Sequence, residues 1–173
     1  VYRTLMAGKW HVGGDLWAKR IHTWRSGDPD RPTPLQRGFD RFYGILDGVT
    51  HFFSPHAIFE DEHRIDVSPT DYYFTDAITD KAIHMIEESV SLAQPFFLYL
   101  AHAAPHWPMH AHEQDIARYE DVYSKGWDAI RTARHEEMRS RGVLQHRWDI
   151  SPRDPDAPAW TDAAHRDWEA SRM

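Results

Sequence analysis

Thr4-Leu5-Met6-Ala7-Gly8-Lys9-Trp10-His11 and Phe96-Phe97-Leu98-Tyr99-Leu100-Ala101, the latter leading to Ala104-Pro105-His106-Trp107-Pro108, decide how this chain reads. Each is a short apolar run that stops at a loop carrying histidine. Runs of this kind are the pattern of strands buried on both faces, as in a parallel sheet. Open α/β sheets bind ligands just outside the carboxyl ends of their strands. The ends here present Lys9, His11 and His106, a cation and two imidazoles suited to surround an anion. The expected class is α/β, with these three side chains converging on one cleft at the carboxyl edge of the sheet.

Working outward, residues 75–93 read as a helix, because Ile78, Ala82, Met85, Ile86 and Val90 recur at helical spacing. Thr75 and Asp76 are its N-cap candidates, with Asp80 adding negative charge near the start. Pro95 closes it and opens the strand 96–101, so helix and strand form half of a βαβ unit. Residues 2–8 read as a strand. Residues 12–37 read as loop, punctuated by Gly27, Pro29, Pro32 and Pro34. Residues 38–48 read as a compact turn-rich segment, and 56–67 leave room for short edge strands. Residues 112–124 and 126–141 read as two further helices, with Gly142 as a C-cap. Pro152, Pro155 and Pro158 mark 143–160 as an irregular insertion.

At 173 residues the chain is the size of one domain. A net charge of −7 argues against a nucleic-acid backbone or an anionic membrane surface as partner. It leaves room for a small anionic substrate in a local basic pocket. No apolar run approaches the roughly 18 residues of a transmembrane segment. The absence of cysteine excludes disulfides and thiolate metal sites within the chain and leaves the compartment open. Val1 lies on a strand-like run and Met173 in a helix-compatible stretch, so the chain is expected to be an internal part of a larger protein.

Lys9 offers a point charge for an oxyanion, and His11 can move a proton near neutral pH, while Trp10 packs behind them. The bland alternative is a solvated lysine and a histidine capping a carbonyl. His106 stands between Pro105 and Pro108, which stiffen its loop and fix the imidazole in advance. His102, His110 and His112 lie close by, but their spacing fits no recognised zinc motif. His51 and Trp107 are candidates to wall a substrate pocket, against the plainer role of packing.

Gly8-Lys9-Trp10-His11, Gly38-Phe39-Asp40-Arg41-Phe42-Tyr43-Gly44 and the Pro95–Leu100 block with Ala104-Pro105-His106 resemble the sulfatase family, the formylglycine-dependent sulfuric ester hydrolases. The blocks follow the family's order over roughly residues 1–112. The resemblance implies part of an alkaline-phosphatase-like sandwich, with a mixed, largely parallel central sheet flanked by helices. It implies residues 1–112 as the central part of the catalytic domain and 113–173 as a helical insertion. It implies that Lys9 binds sulfate and holds the formylglycine hydroxyl. His11 would act as base in freeing the sulfated enzyme, and His106 would bind sulfate and protonate the leaving oxygen. The partner is then a small-molecule sulfate ester, arylsulfatase-like. Ca²⁺ and formylglycine are expected as cofactors in the complete protein. The Cys/Ser-x-Pro-x-Arg motif that yields formylglycine is absent here, as are the Asp-Asp and Asp-Asn pairs that bind calcium, and all are expected beyond the two ends. A phosphomonoesterase or phosphodiesterase of the same superfamily, and a non-catalytic binding module that keeps the fold, remain the alternatives.

Overall fold

The structure, a computed structural model, describes residues 1–12, 27–30, 32–68 and 70–173. Most of the loop expected over 12–37 lies outside the described residues. Two compact units divide the chain, Val1–His110 and Ala111–Met173.

The first unit holds β1 (Arg3–Lys9), β2 (Arg41–Ile45), β3 (Ile58–Glu60), β4 (His63–Ile65), α1 (Phe74–Ser91) and β5 (Phe96–Ala101). The sheet order is β4-β3-β2-β1-β5. β1 pairs in parallel with β2 on one side and β5 on the other, while β3 and β4 add antiparallel strands beyond β2. This is the expected α/β class with a mixed sheet. Side chains alternate between the faces of a strand. Leu5, Ala7, Tyr43, Ile45 and Ile58 accordingly form one core with Phe74, Ile78, Ala82 and Met85 of α1. Met6, Phe42, Phe59 and Ala101 form a second core, covered by Trp10, Leu35 and Phe39. Leu5, Met6, Phe42, Phe59 and Phe74 are fully buried. Each such side chain stabilises the fold by about 1.5–3 kcal/mol relative to exposure.

Two readings of this region need correction. Residues 38–48 are not merely turns, because they contain β2, a strand flanked on both sides. Gly44 within it and the glycines on either side hid the strand signal, yet Phe42, Tyr43 and Ile45 are buried core residues. In α1 the buried seam is Phe74, Ile78, Ala82, Met85 and Ser89, whereas Val90 is 67% exposed. Ser89 is accommodated because its hydroxyl donates to Met85 O at 2.7 Å and accepts from Arg3 at 3.4 Å. Neither Thr75 nor Asp76 caps the helix, which begins one residue earlier. The Phe74 N–H instead donates to Phe52 O at 2.8 Å, a tertiary partner in place of a side-chain cap.

The second unit contains α2 (Glu113–Ala117), α3 (Glu120–Tyr123), α4 (Gly126–Ser140) and α5 (Arg166–Arg172). The helix expected over 112–124 is broken at Arg118 and Tyr119 into two short ones. α4 ends as its sequence suggests. Gly142 has φ +69°, its N–H donates to Arg139 O, and Val143 N–H donates to Met138 O, a Schellman motif. Trp127 meets Trp160 edge-on at 4.7 Å, and Asp128 accepts from Trp160 N–H at 2.8 Å. Among the described residues no helix is long and apolar enough to cross a membrane.

α1 ends in the same motif, but with alanine where glycine is favoured. Ala93 has φ +52°, its N–H donates to Val90 O, and Gln94 N–H donates to Ser89 O. The left-handed conformation costs an L-residue about 1–2 kcal/mol, offset in part by glycine's larger unfolded entropy. Ala93→Gly is therefore expected to stabilise the protein by roughly 0.5–1 kcal/mol. Urea unfolding checks this, and a lower midpoint at unchanged slope would refute it.

Candidate active site

The chain leaves β1 for β2 on one side and returns through α1 to β5 on the other. The carboxyl end of β1 is thus where the connections diverge, the position at which open α/β sheets bind ligands. Gly8 lies opposite Gly44 of β2 and opposite Ala101 of β5. Gly8 has φ +125°, and a methyl group on it would stand 1.9 Å from the Ala101 carbonyl oxygen. A methyl on Gly44 would stand 1.8 Å from the Gly8 carbonyl oxygen. Only glycine allows these backbones to close up.

Lys9 is the last residue of β1 and is half-buried. No described residue pairs with its ammonium. Trp10 packs behind it, as expected, with Nε1 donating to Pro32 O at 2.7 Å and its ring edge-on to Phe39. The β1–β2 pairing continues past the strand, with Trp10 N–H donating to Ile45 O at 3.0 Å and His11 N–H to Leu46 O at 3.1 Å. His11 then turns into the left-handed region at φ +55°. Strand alternation ends there, so its direction is set by contact instead. The imidazole lies against Gly48, where a methyl group would fall 2.4 Å from Nε2. Strain at a non-glycine residue persists only where its surroundings enforce it.

The segment that carries His106 runs out of β5. His106 N–H donates to Ala103 O at 2.9 Å, and its Nδ1 lies 2.6 Å from Trp107 O. A carbonyl only accepts, so Nδ1 holds a proton and Nε2 is the nitrogen presented outward. The Ala104-Pro105 and Trp107-Pro108 bonds are cis. Both His106 and Trp107 are exposed.

Sequence reasoning missed the loop after β2. Buried Asp47 accepts from His56 Nε2 at 2.6 Å, which pairs the carboxylate and closes the loop on itself. The Thr50 hydroxyl is buried without a hydrogen-bond partner among the described residues. His51 Nδ1 accepts from Ser54 N–H at 3.0 Å, and its ring lies 4.2 Å from that of His110. Asp47-Gly48 was a turn signal in the sequence, but it had no place while β2 was read as turn.

A cleft of about 530 Å³ opens elsewhere, lined by Tyr43, Val67, Tyr72, Lys81 and His84 among others. None of Lys9, His11 or His106 borders it. Burial, then the hydroxyl of Tyr43, push the Tyr72 phenol well above its ordinary pKa, so it is no nucleophile near neutrality. Lys81 is already bonded to Glu60 at 2.8 Å.

A family model described as Sulfatase matches residues 2–155. The chain belongs to the sulfatase family. It is 33% identical over 116 residues to an uncharacterized sulfatase, YdeN, of Escherichia coli, covering 62% of this chain and 20% of that protein. It is 28% identical over 154 residues to an arylsulfatase of Klebsiella aerogenes, covering 83% and 30%. It is 30% identical over 131 residues to mouse arylsulfatase J, covering 70% and 20%. The chain thus spans 20–30% of the length of these relatives. Among the described residues no three His, Asp or Glu side chains are grouped so as to hold a metal ion. With the Cys/Ser-x-Pro-x-Arg motif also absent, the described residues do not fit either calcium or formylglycine.

Gly48 offers a test of the His11 seat. The clash in Gly48→Ala falls on the far end of a side chain, so the ring should move while stability drops by about 1 kcal/mol or less. A crystal structure of the variant with His11 unmoved would refute the seat.

Proposed function

We propose that this chain supplies the sulfate-binding and proton-transfer side chains of a sulfuric ester hydrolase acting on aryl sulfates. Residues 1–112 form the central part of its catalytic domain, and 113–173 a helical insertion. The reading is carried by the β1–β5 register, in which Gly8 lies opposite Ala101 on adjacent parallel strands. Lys9, His11 and the His106 segment therefore leave the sheet from one edge. Lys9, whose ammonium no described residue engages, neutralises the sulfate oxygens. His106, as the imidazolium with Nδ1–H committed to Trp107 O, gives its Nε2 proton to the departing oxygen and is left neutral. His11 takes up a proton in the later release of sulfate.

The two histidines are distinguishable because they serve different steps. A positioned acid or base contributes about 10²- to 10⁴-fold in rate. In the full-length protein His106→Ala should slow aryl sulfates with poor leaving groups far more than those with good ones. His11→Ala should lower turnover whatever the leaving group and show a burst of released phenol. Pre-steady-state kinetics over a series of substituted aryl sulfates reads both effects. Identical leaving-group dependence in the two variants, with no burst in either, would sink the assignment.

A further inference from the structure

We propose that His110 is a positioning residue for His106: it fastens the far end of the segment 102–110 to the loop after β2 and the start of α1, and so fixes where the catalytic imidazole stands. The inference rests on the assignment of His106 as the acid. The near end of the segment is held by β5 and by buried Ala101 and Ala103. Between the ends, His102, Pro105, His106, Trp107 and Met109 are all exposed. Ala104 is packed against the core and Pro108 is half-buried, but from Pro105 to Trp107 nothing is buried, so the place of His106 depends on how both ends are tied.

His110 supplies the second tie through both its ring and its backbone. Nδ1 accepts from the Phe52 N–H at 3.3 Å, and the carbonyl oxygen accepts from the Tyr73 hydroxyl at 3.0 Å. The ring lies 4.2 Å from His51 and packs edge-on against Phe52 at 5.8 Å, with Phe53 also at 5.8 Å. Phe53 in turn stacks on Tyr73 at 4.8 Å. Phe52 is itself fully buried and caps α1 through Phe74 N–H. The knot therefore joins the His106 segment to the loop after β2 and to the start of α1. Its Nδ1 must keep a lone pair for the Phe52 amide. Burial, then the nearby His51, lower the proton affinity of His110 and favour that state. His110 does not reach the reacting atoms in this scheme. It acts through placement, where an error of about 1 Å can cost 10²-fold in rate.

The test uses the full-length sulfatase and the same series of aryl sulfates, with His106→Ala, His110→Ala, His110→Asn and Tyr73→Phe. His110→Ala should reproduce the selective loss on poor leaving groups in weaker form, about 10- to 10²-fold. His110→Asn keeps an oxygen able to accept the Phe52 N–H and should restore most of it. Tyr73→Phe removes one tie and should show a smaller loss of the same kind, which also serves if His110→Ala does not fold. A purely structural role would lower the thermal midpoint, or slow every substrate equally, with no change in leaving-group dependence. That outcome, beside a selective His106→Ala, overturns the inference alone. A His106→Ala without leaving-group selectivity overturns the acid assignment and the inference with it.

Discussion

The backbones of Gly8, Gly44 and Ala101 approach one another closely enough that a side chain on either glycine would collide with a neighbouring carbonyl. That approach draws the carboxyl ends of β2, β1 and β5 together. It involves main-chain atoms, so no rotamer change relieves an intrusion. The candidate site residues and the loops beside them leave the sheet from this seam. Lys9, Trp10 and His11 extend it from β1, the Asp47–His56 loop from β2, and the His106 segment from β5.

The same histidine chemistry is used in two ways around the seam. His56 holds a buried carboxylate, and His51 and His110 accept backbone N–H groups. One nitrogen of each of those rings holds a carboxylate or a backbone N–H in place, and the rings serve as struts. His106 bonds through Nδ1 to Trp107 O, a carbonyl of its own segment. His11 is held in a strained backbone conformation with its ring laid on Gly48. In the proposed scheme these two imidazoles handle protons, while the other three hold backbone or carboxylate in place.

The parts of this arrangement that were legible in the sequence are those with strong local signals. Leu5–Ala7 and Phe96–Ala101 are continuous apolar runs, the first closed by Gly8 and the second opened by Pro95, and α1 has a clear apolar period. β2 was not legible, because Gly44 weakens a strand locally and is required only by the neighbouring Gly8 carbonyl. The α1 cap failed for the same kind of reason. Its acceptor, Phe52 O, is 22 positions away from Phe74 in sequence, and no spacing rule reaches it. For the site, Lys9, His11 and His106 stood out by their place after strands. His110 looked like one more histidine in a histidine-rich run. Its role depends on Phe52, His51 and Tyr73, which only the fold brings to it.

Side chains and backbone therefore carry separable burdens at this edge. Lys9 is half-buried with an ammonium that no described residue engages, so Lys9→Met removes the charge and keeps most of the packing. Gly8, one residue earlier, presents no side chain at all, yet any substitution there drives a carbon into the Ala101 carbonyl. Loss of activity at Lys9 reports on chemistry, while loss at Gly8 reports on strand closure. Gly48 lies between these cases, because a methyl there meets the movable tip of His11 rather than backbone. A position of that kind shifts the His11 ring without disturbing the sheet that carries it. The positions that control this site are thus only partly those bearing functional groups. The others are the places where the fold has made room for them.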